Sequence, residues 1–125
     1  MRVRRAREDD REAVEAVLDA AMLQTDHVEG AVSGGDAFVA VEEGRVLGAA
    51  VLVQDERAMH VDAIAVRPNR RGQGIGSALV EVAAAETDDR LTAAFDETVR
   101  PFYESLGFEV REKNERLWGE LMTRP

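Results

Sequence analysis

Residues 66–76 read VRPNRRGQGIG, with glycine at 72, 74 and 76 and arginine at 67, 70 and 71. That spacing suits a polyanion. The glycines remove side chains that would hold a bulky pyrophosphate away from backbone N–H groups. Three guanidinium groups within five residues make a local cationic island, able to draw a phosphate ester toward a chain that elsewhere repels it. The segment follows an apolar run and precedes a helical pattern, the junction where unpaired N–H groups and the helix dipole favour an anion. The same residues also read as a solvated strand-to-helix turn whose glycines merely permit tight geometry. Other phosphate loops fit poorly. A Walker loop needs Gly-Lys-Ser/Thr, and no lysine stands here. A dinucleotide G-x-G-x-x-G beginning at Gly72 meets Ser77 where it needs glycine.

The elements that must position this loop are legible from periodicity. Residues 3–6 form a short first strand. Val14, Val17, Leu18, Ala21 and Met22 recur at helical spacing, with Asp9 or Asp10 as the cap. Residues 24–36, which contain Gly30, Gly34 and Gly35, read as a loop with about one helical turn. Runs at 37–41 and 46–53 flank Glu43-Gly44, the signature of an antiparallel hairpin. Residues 59–66 form a further strand that puts His60, Asp62, Ile64 and Val66 on one face by the period of two. Beyond the loop, Ile75, Ala78, Leu79, Val82 and Ala83 repeat the helical stripe. A strand over 91–95, a short helix over 99–105 stopped by Gly107, and a closing pair of strands at 108–111 and 117–122 complete the order β-α-β-β-β-α-β-α-β-β. That order predicts a single α/β domain over residues 1–125, with a mixed, mostly antiparallel central sheet flanked by helices.

Composition narrows the chemistry further. The chain has 125 residues, 45% of them hydrophobic, which suffices for one core. There is no cysteine, so disulfides, a thiolate nucleophile and cysteine-ligated zinc are excluded together, and no metal is expected. No apolar run is long enough for a membrane span, and the first ten residues lack the apolar stretch of a secretory signal, so the expectation is a cytoplasmic protein. A net charge of -9 argues against nucleic acid as a partner. Lys113 is the single lysine beside 15 arginines. An acidic, lysine-poor surface suits concentrated salt, where self-repulsion is screened; GC-rich codon usage yields the same composition.

The loop also resembles the coenzyme A signature of the GNAT superfamily of N-acetyltransferases, Gln/Arg-x-x-Gly-x-Gly/Ala preceded by Val-x-Pro. Arg71, Gly74 and Gly76 fill the signature, and Val66 and Pro68 fill the lead-in. Residues 102–108, FYESLGF, are similar to the family's C-terminal Tyr-x-x-Leu-Gly-Phe block, and the hairpin EEGRVLG to its Gly-x-x-x-Gly turn. The resemblance covers nearly the whole chain in order, with one departure: Asp96 stands where the family often has a cofactor-contacting Asn. It implies a GNAT-like fold, acetyl-CoA as co-substrate and a primary amine as acceptor. It implies that backbone groups of Ile64, Ala65 and Val66 pair with the pantetheine arm. The pyrophosphate would then rest on Arg71 and the N–H groups of Gly72, Gln73, Gly74, Ile75, Gly76 and Ser77.

For catalysis the resemblance implies that Tyr103 serves as general acid; the alternative is an aromatic packed beside Phe102 and Phe108. The base stays open among His60, Asp62 and an ordered water. His60 has a side-chain type suited to proton relay at neutral pH, and Asp62 needs burial to raise its pKa. Either one also reads as a polar residue on a partly wet strand, and His27 as a surface residue. A homodimer through the C-terminal strands is compatible with the family. Two other functions remain: a non-catalytic acyl-CoA-binding module, and a protein-interaction domain resting on exposed apolar residues such as Trp118.

Overall fold

A computed structural model describes residues 1–123. In chain order the elements are β1 Arg2–Arg5, α1 Arg11–Ala20, α2 Val28–Gly34, β2 Ala37–Glu42, β3 Arg45–Asp55, β4 Ala58–Val66, α3 Ile75–Ala85, β5 Arg90–Phe95, α4 Arg100–Ser105, β6 Glu109–Lys113 and β7 Arg116–Met122. The strands form one sheet in the order β1-β2-β3-β4-β5-β7-β6, antiparallel throughout except for β4 with β5. This is the mixed, mostly antiparallel α/β architecture expected from the element order.

Each face of the sheet is covered, because the strands bury both sides. Val14, Val17 and Leu18 of α1, with Val28, Ala31 and Val32 of α2, pack on Val39, Ala49, Val51, Ala63 and Ala65. On the other face Ile75, Leu79, Val80 and Ala83 of α3, with Tyr103 of α4, pack on Phe38, Leu52, Val61, Leu91 and Phe95. The hairpin expected at Glu43-Gly44 is present, with φ of 50° and 78° at its two turn residues. Gly48, a few residues on, is a close-approach position. A Cβ there would stand 2.9 Å from the Ala65 carbonyl oxygen and 3.3 Å from Ile75, so glycine lets α3 settle against β3 and β4.

Three local expectations need correction. Residues 24–36 hold a seven-residue helix rather than about one turn, since Val28, Ala31 and Val32 share a buried stripe that three nearby glycines disguised. Met22 does not extend the α1 stripe. The helix closes at Ala20, and Met22 is 93% exposed with φ of 61°. Asp10 does not cap α1 with its side chain. Its carboxylate turns back to accept from the Arg7 N–H at 2.7 Å and to pair with Arg4, also at 2.7 Å, tying the helix start to β1. The Arg4 contact holds the Asp10 carboxyl below the usual carboxylate range.

The consequential deviation lies in β4. Val51 pairs with Ala63 but the next residue, Leu52, pairs with Val61, so one β4 residue, Asp62, is left out of the ladder. Such a bulge reverses the alternation of side chains. Val61 therefore packs on the α3 side, while Ala63 and Ala65, of the same parity, pack on the α1 side. Ile64 and Val66 face α3. The expectation that His60 and Asp62 share a face with Ile64 and Val66 fails for this reason.

Candidate active site

The loop after β4 is anchored before it opens. Arg67 donates from its backbone N–H to the Leu47 carbonyl at 2.8 Å and from Nε to the Val46 carbonyl at 2.7 Å. Arg70 is held by Glu42 at 2.9 Å and by Gln73 at 2.9 Å. Of the three arginines expected to form a cationic island, one is therefore neutralised by a carboxylate. Among the described residues Arg71 has no carboxylate partner; its Nε donates to the Val66 carbonyl oxygen at 3.3 Å, leaving its charge available.

Gly74 sits at the N-cap of α3 with φ of 82°, a conformation that glycine adopts at little cost. Its carbonyl accepts from the Ala78 N–H at 3.0 Å, the first bond of the helix. Among the described residues no backbone carbonyl accepts from the N–H groups of Gly72, Gln73, Gly74, Ile75, Gly76 or Ser77. Six successive N–H groups are thus left without a backbone acceptor, and five of the residues that carry them line one groove. The groove, about 410 Å³, is lined by Val66, Arg70, Arg71, Gly72, Gly74, Ile75, Gly76, Ser77 and Phe102. Phe102, which sequence reasoning left out of the site, forms its wall: its ring would lie 3.4 Å from a Cβ at Gly76.

From this groove an open strand edge leads into the molecule. β4 and β5 are paired over two rungs only, Met59 with Leu91 and His60 with Thr92. Beyond His60 the strands part, and the edge of β4 from Val61 to Val66, about 17 Å long, has no strand partner on that side. Ile64, Ala65 and Val66 lie on it. An extended chain with amide groups could add to this edge as a strand would. The groove and the free edge are continuous through Val66, so N–H donors at the start of α3 adjoin an unpaired strand edge that ends at His60.

At the closed end of the cleft, polar side chains meet on the face toward α1 and α2. His60 Nδ1 lies 2.8 Å from Thr92 Oγ1, and the imidazole stacks on Trp118 with centroids 5.2 Å apart and planes 20° apart. Burial lowers the His60 pKa below its ordinary 6.5, with nearby Asp55 and Asp62 opposing the shift. Asp62, lifted out of the ladder by the bulge, meets His27 of the α1–α2 connection, with Oδ2 and Nδ1 3.1 Å apart. The pair His60 and Asp62 is thus brought to one face, together with His27. Thr92 and the His27 partnership were invisible in sequence, because both depend on which strands and helices become neighbours.

Tyr103 is only 5% exposed. Its ring stacks on Phe95 at 4.3 Å and meets Phe102 and Phe108 edge-on at 5.0 and 5.1 Å. Burial pushes the phenol pKa up to about 12. The hydroxyl is nonetheless not sealed in, since the one fully buried side-chain nitrogen or oxygen without a partner among the described residues is Arg90 Nε. Asp96 is engaged elsewhere. Its carboxylate accepts from the Thr98 N–H at 3.0 Å and from the Thr98 hydroxyl, capping the turn into α4, and these bonds lower its pKa. Among the described residues no group of three or more potential metal ligands occurs, and no helix is long and apolar enough to cross a membrane.

Comparison with known proteins agrees with this geometry. A family model described as an acetyltransferase (GNAT) domain matches residues 33–110. A curated glucosamine 6-phosphate N-acetyltransferase of Trypanosoma brucei brucei is 33% identical over 85 residues, covering 59% of this chain and 58% of that protein. The chain thus spans little more than half the length of that relative. Among solved structures, an aminoglycoside 6'-N-acetyltransferase complexed with coenzyme A superposes with a TM-score of 0.84 at 15% identity, over 100% of this chain and 98% of that one. The ribosomal-protein-S18-alanine N-acetyltransferase of Escherichia coli superposes with a TM-score of 0.80 at 18% identity, over 99% and 94%. At such identities these structures speak for the fold.

Proposed function

This chain belongs to the GNAT acetyltransferase family, and on that footing we propose that it transfers the acetyl group of acetyl-CoA to a primary amine by direct attack. The observation that carries the reading is the run of six N–H groups without backbone partners, at a groove beside a free strand edge. The coenzyme supplies an activated thioester. The N–H groups of Gly72 to Ser77 grip its pyrophosphate with Arg71, and Ile64, Ala65 and Val66 hold the pantetheine arm by backbone hydrogen bonds.

His60 is our choice of base. A lysine-like amine has a pKa of about 10.4 in water, so a proton must be removed before attack. The imidazole stands at the last rung before the strands part, and its burial favours the neutral form that accepts protons. For that role Nδ1–H donates to Thr92 and Nε2 keeps its lone pair. Asp62, partly exposed beside His27, attracts the acceptor's ammonium form. Tyr103, kept protonated by burial, donates toward the departing sulfur.

Gly74→Val tests the reading. A β-branched residue at φ of 82° is strained, and it would disturb the loop conformation that holds the N–H groups even though a Cβ there meets no neighbour within 4 Å. The KM for acetyl-CoA should rise at least about tenfold, a loss of roughly 1.4 kcal/mol, while the variant remains folded by circular dichroism. An unchanged KM removes the coenzyme from this groove. A second reading, a non-catalytic acyl-CoA-binding module, is favoured by the dense aromatic packing of Tyr103. Coenzyme binding by calorimetry without thiol release across a panel of amines would select it.

A further inference from the structure

Lys113 is the one side-chain amine of the chain, and it lies at an unusual place for a lysine in so acidic a protein. It closes β6 and pairs with Arg116 across a tight turn whose two residues, Asn114 and Glu115, have φ of 54° and 65°. Among the described residues it has no ion pair with any carboxylate. Its ammonium instead sits over the Trp118 ring, 4.5 Å from the centroid. The same indole stacks on His60 at 5.2 Å. His60 in turn forms the rung at which β4 and β5 part. Lys113, Trp118 and His60 therefore run as a contiguous series from the hairpin tip to the closed end of the cleft. The hairpin cannot drift away from this end, because β7 pairs with β5 along its length from Arg90–Met122 to Phe95–Leu117.

We propose that Lys113 is an acetyl acceptor of this enzyme: the chain modifies its own lysine, and the modification uncovers Trp118 for incoming amines. The inference rests on the acetyltransferase reading above. In the step, the Lys113 ammonium gives a proton to His60 or to water, and the freed amine nitrogen bonds to the thioester carbonyl carbon. The carbon–sulfur bond breaks, its electron pair leaves on sulfur, the new amide nitrogen sheds its extra proton, and the thiolate takes up a proton in its place. Acetyl-CoA is the only co-reactant. The product side chain is neutral and no longer attracted to the indole face. Until then the ammonium occupies a surface that attracts cations, so it competes with any cationic acceptor that approaches His60 across Trp118. Arginine fills the other 15 basic positions, and its guanidinium is a poor acyl acceptor.

The test is incubation of the purified full chain with acetyl-CoA and no added amine, followed by intact mass and peptide mapping. One acetyl group should appear, on Lys113, with a first-order rate independent of protein concentration. Excess free coenzyme A should suppress it, and Lys113→Arg should abolish it. Fluorescence of Trp118, the only tryptophan, should change along the same time course. Lys113→Gln should show the shifted emission from the outset and a lower KM for a diamine acceptor. Absence of label on Lys113 in a preparation that releases thiol with added amines overturns this inference and leaves the proposed function standing. Label that free coenzyme A does not suppress, or label confined to the terminal amino group, overturns it as well. Loss of coenzyme binding altogether removes both.

Discussion

Tyr103 and His60 carry opposite electrostatic assignments, and each follows from burial acting on a different charged form. Burial disfavours phenolate, which raises the Tyr103 pKa to about 12, and it disfavours imidazolium, which lowers that of His60. At neutral pH the first is a donor and the second an acceptor. Tyr103→Phe keeps the stack on Phe95 and the edge contacts, so melting temperature should hardly move. Turnover should fall about 10²-fold, within the usual range for a positioned proton donor; full activity would return Tyr103 to a packing role. The depressed His60 pKa also fixes a sign for stability. Because the native imidazole binds its proton less readily than the unfolded one, its contribution is present above pH 6.5 and is lost as pH falls through the lower native value. His60→Gln should therefore flatten the decline in melting temperature below pH 6.5. An equally steep decline in the variant would show that other groups cause it.

At the level of elements, the end of α1 offers a prediction free of the active site. Met22 donates to the Asp19 carbonyl at 2.9 Å and Leu23 to the Leu18 carbonyl at 3.0 Å. These two bonds, with φ of 61° at Met22, form the helix stop in which glycine is favoured. Met22→Gly relieves a left-handed strain of about 1–2 kcal/mol, and part of the gain is offset by a more flexible unfolded chain. The net should be a rise of roughly 2–4 °C in melting temperature by calorimetry. A fall would mean that the exposed Met22 side chain makes a contact of its own. The same elements show how far the amino acids alone could be read. Strand and helix order, the hairpin and the Gly-rich loop were legible because each is written in local spacing. The β4 bulge was not, since Asp62 breaks no local rule and only the ladder with β3 ejects it. Nor were Thr92 and Trp118 legible as neighbours of His60, because a parallel rung and a distant strand bring them together.

For the whole molecule the governing quantity is an excess of nine negative charges. Arginines offset part of it by bridging two carboxylates each: Arg11 reaches Glu8 and Glu29, and Arg100 reaches Glu97 and Glu104. These pairs are largely exposed and so contribute little individually. The surplus carboxylates repel one another over distances that simple salt shortens, from a screening length of about 10 Å at 0.1 M to about 3 Å at 1 M. Potassium chloride should therefore raise the melting temperature between those concentrations. The coenzyme site should respond in the opposite sense. In the proposed site the local field comes from Arg71 and the N–H cluster, so screening should weaken their pull on pyrophosphate. The KM for acetyl-CoA should accordingly rise over the same range in which the fold becomes more stable. Opposed trends would tie the lysine-poor, acidic surface to life in salt, with the cationic loop kept as the exception that the substrate needs. A melting temperature indifferent to salt would instead assign that surface to codon usage, leaving the loop's attraction for the coenzyme as the one electrostatic feature under selection.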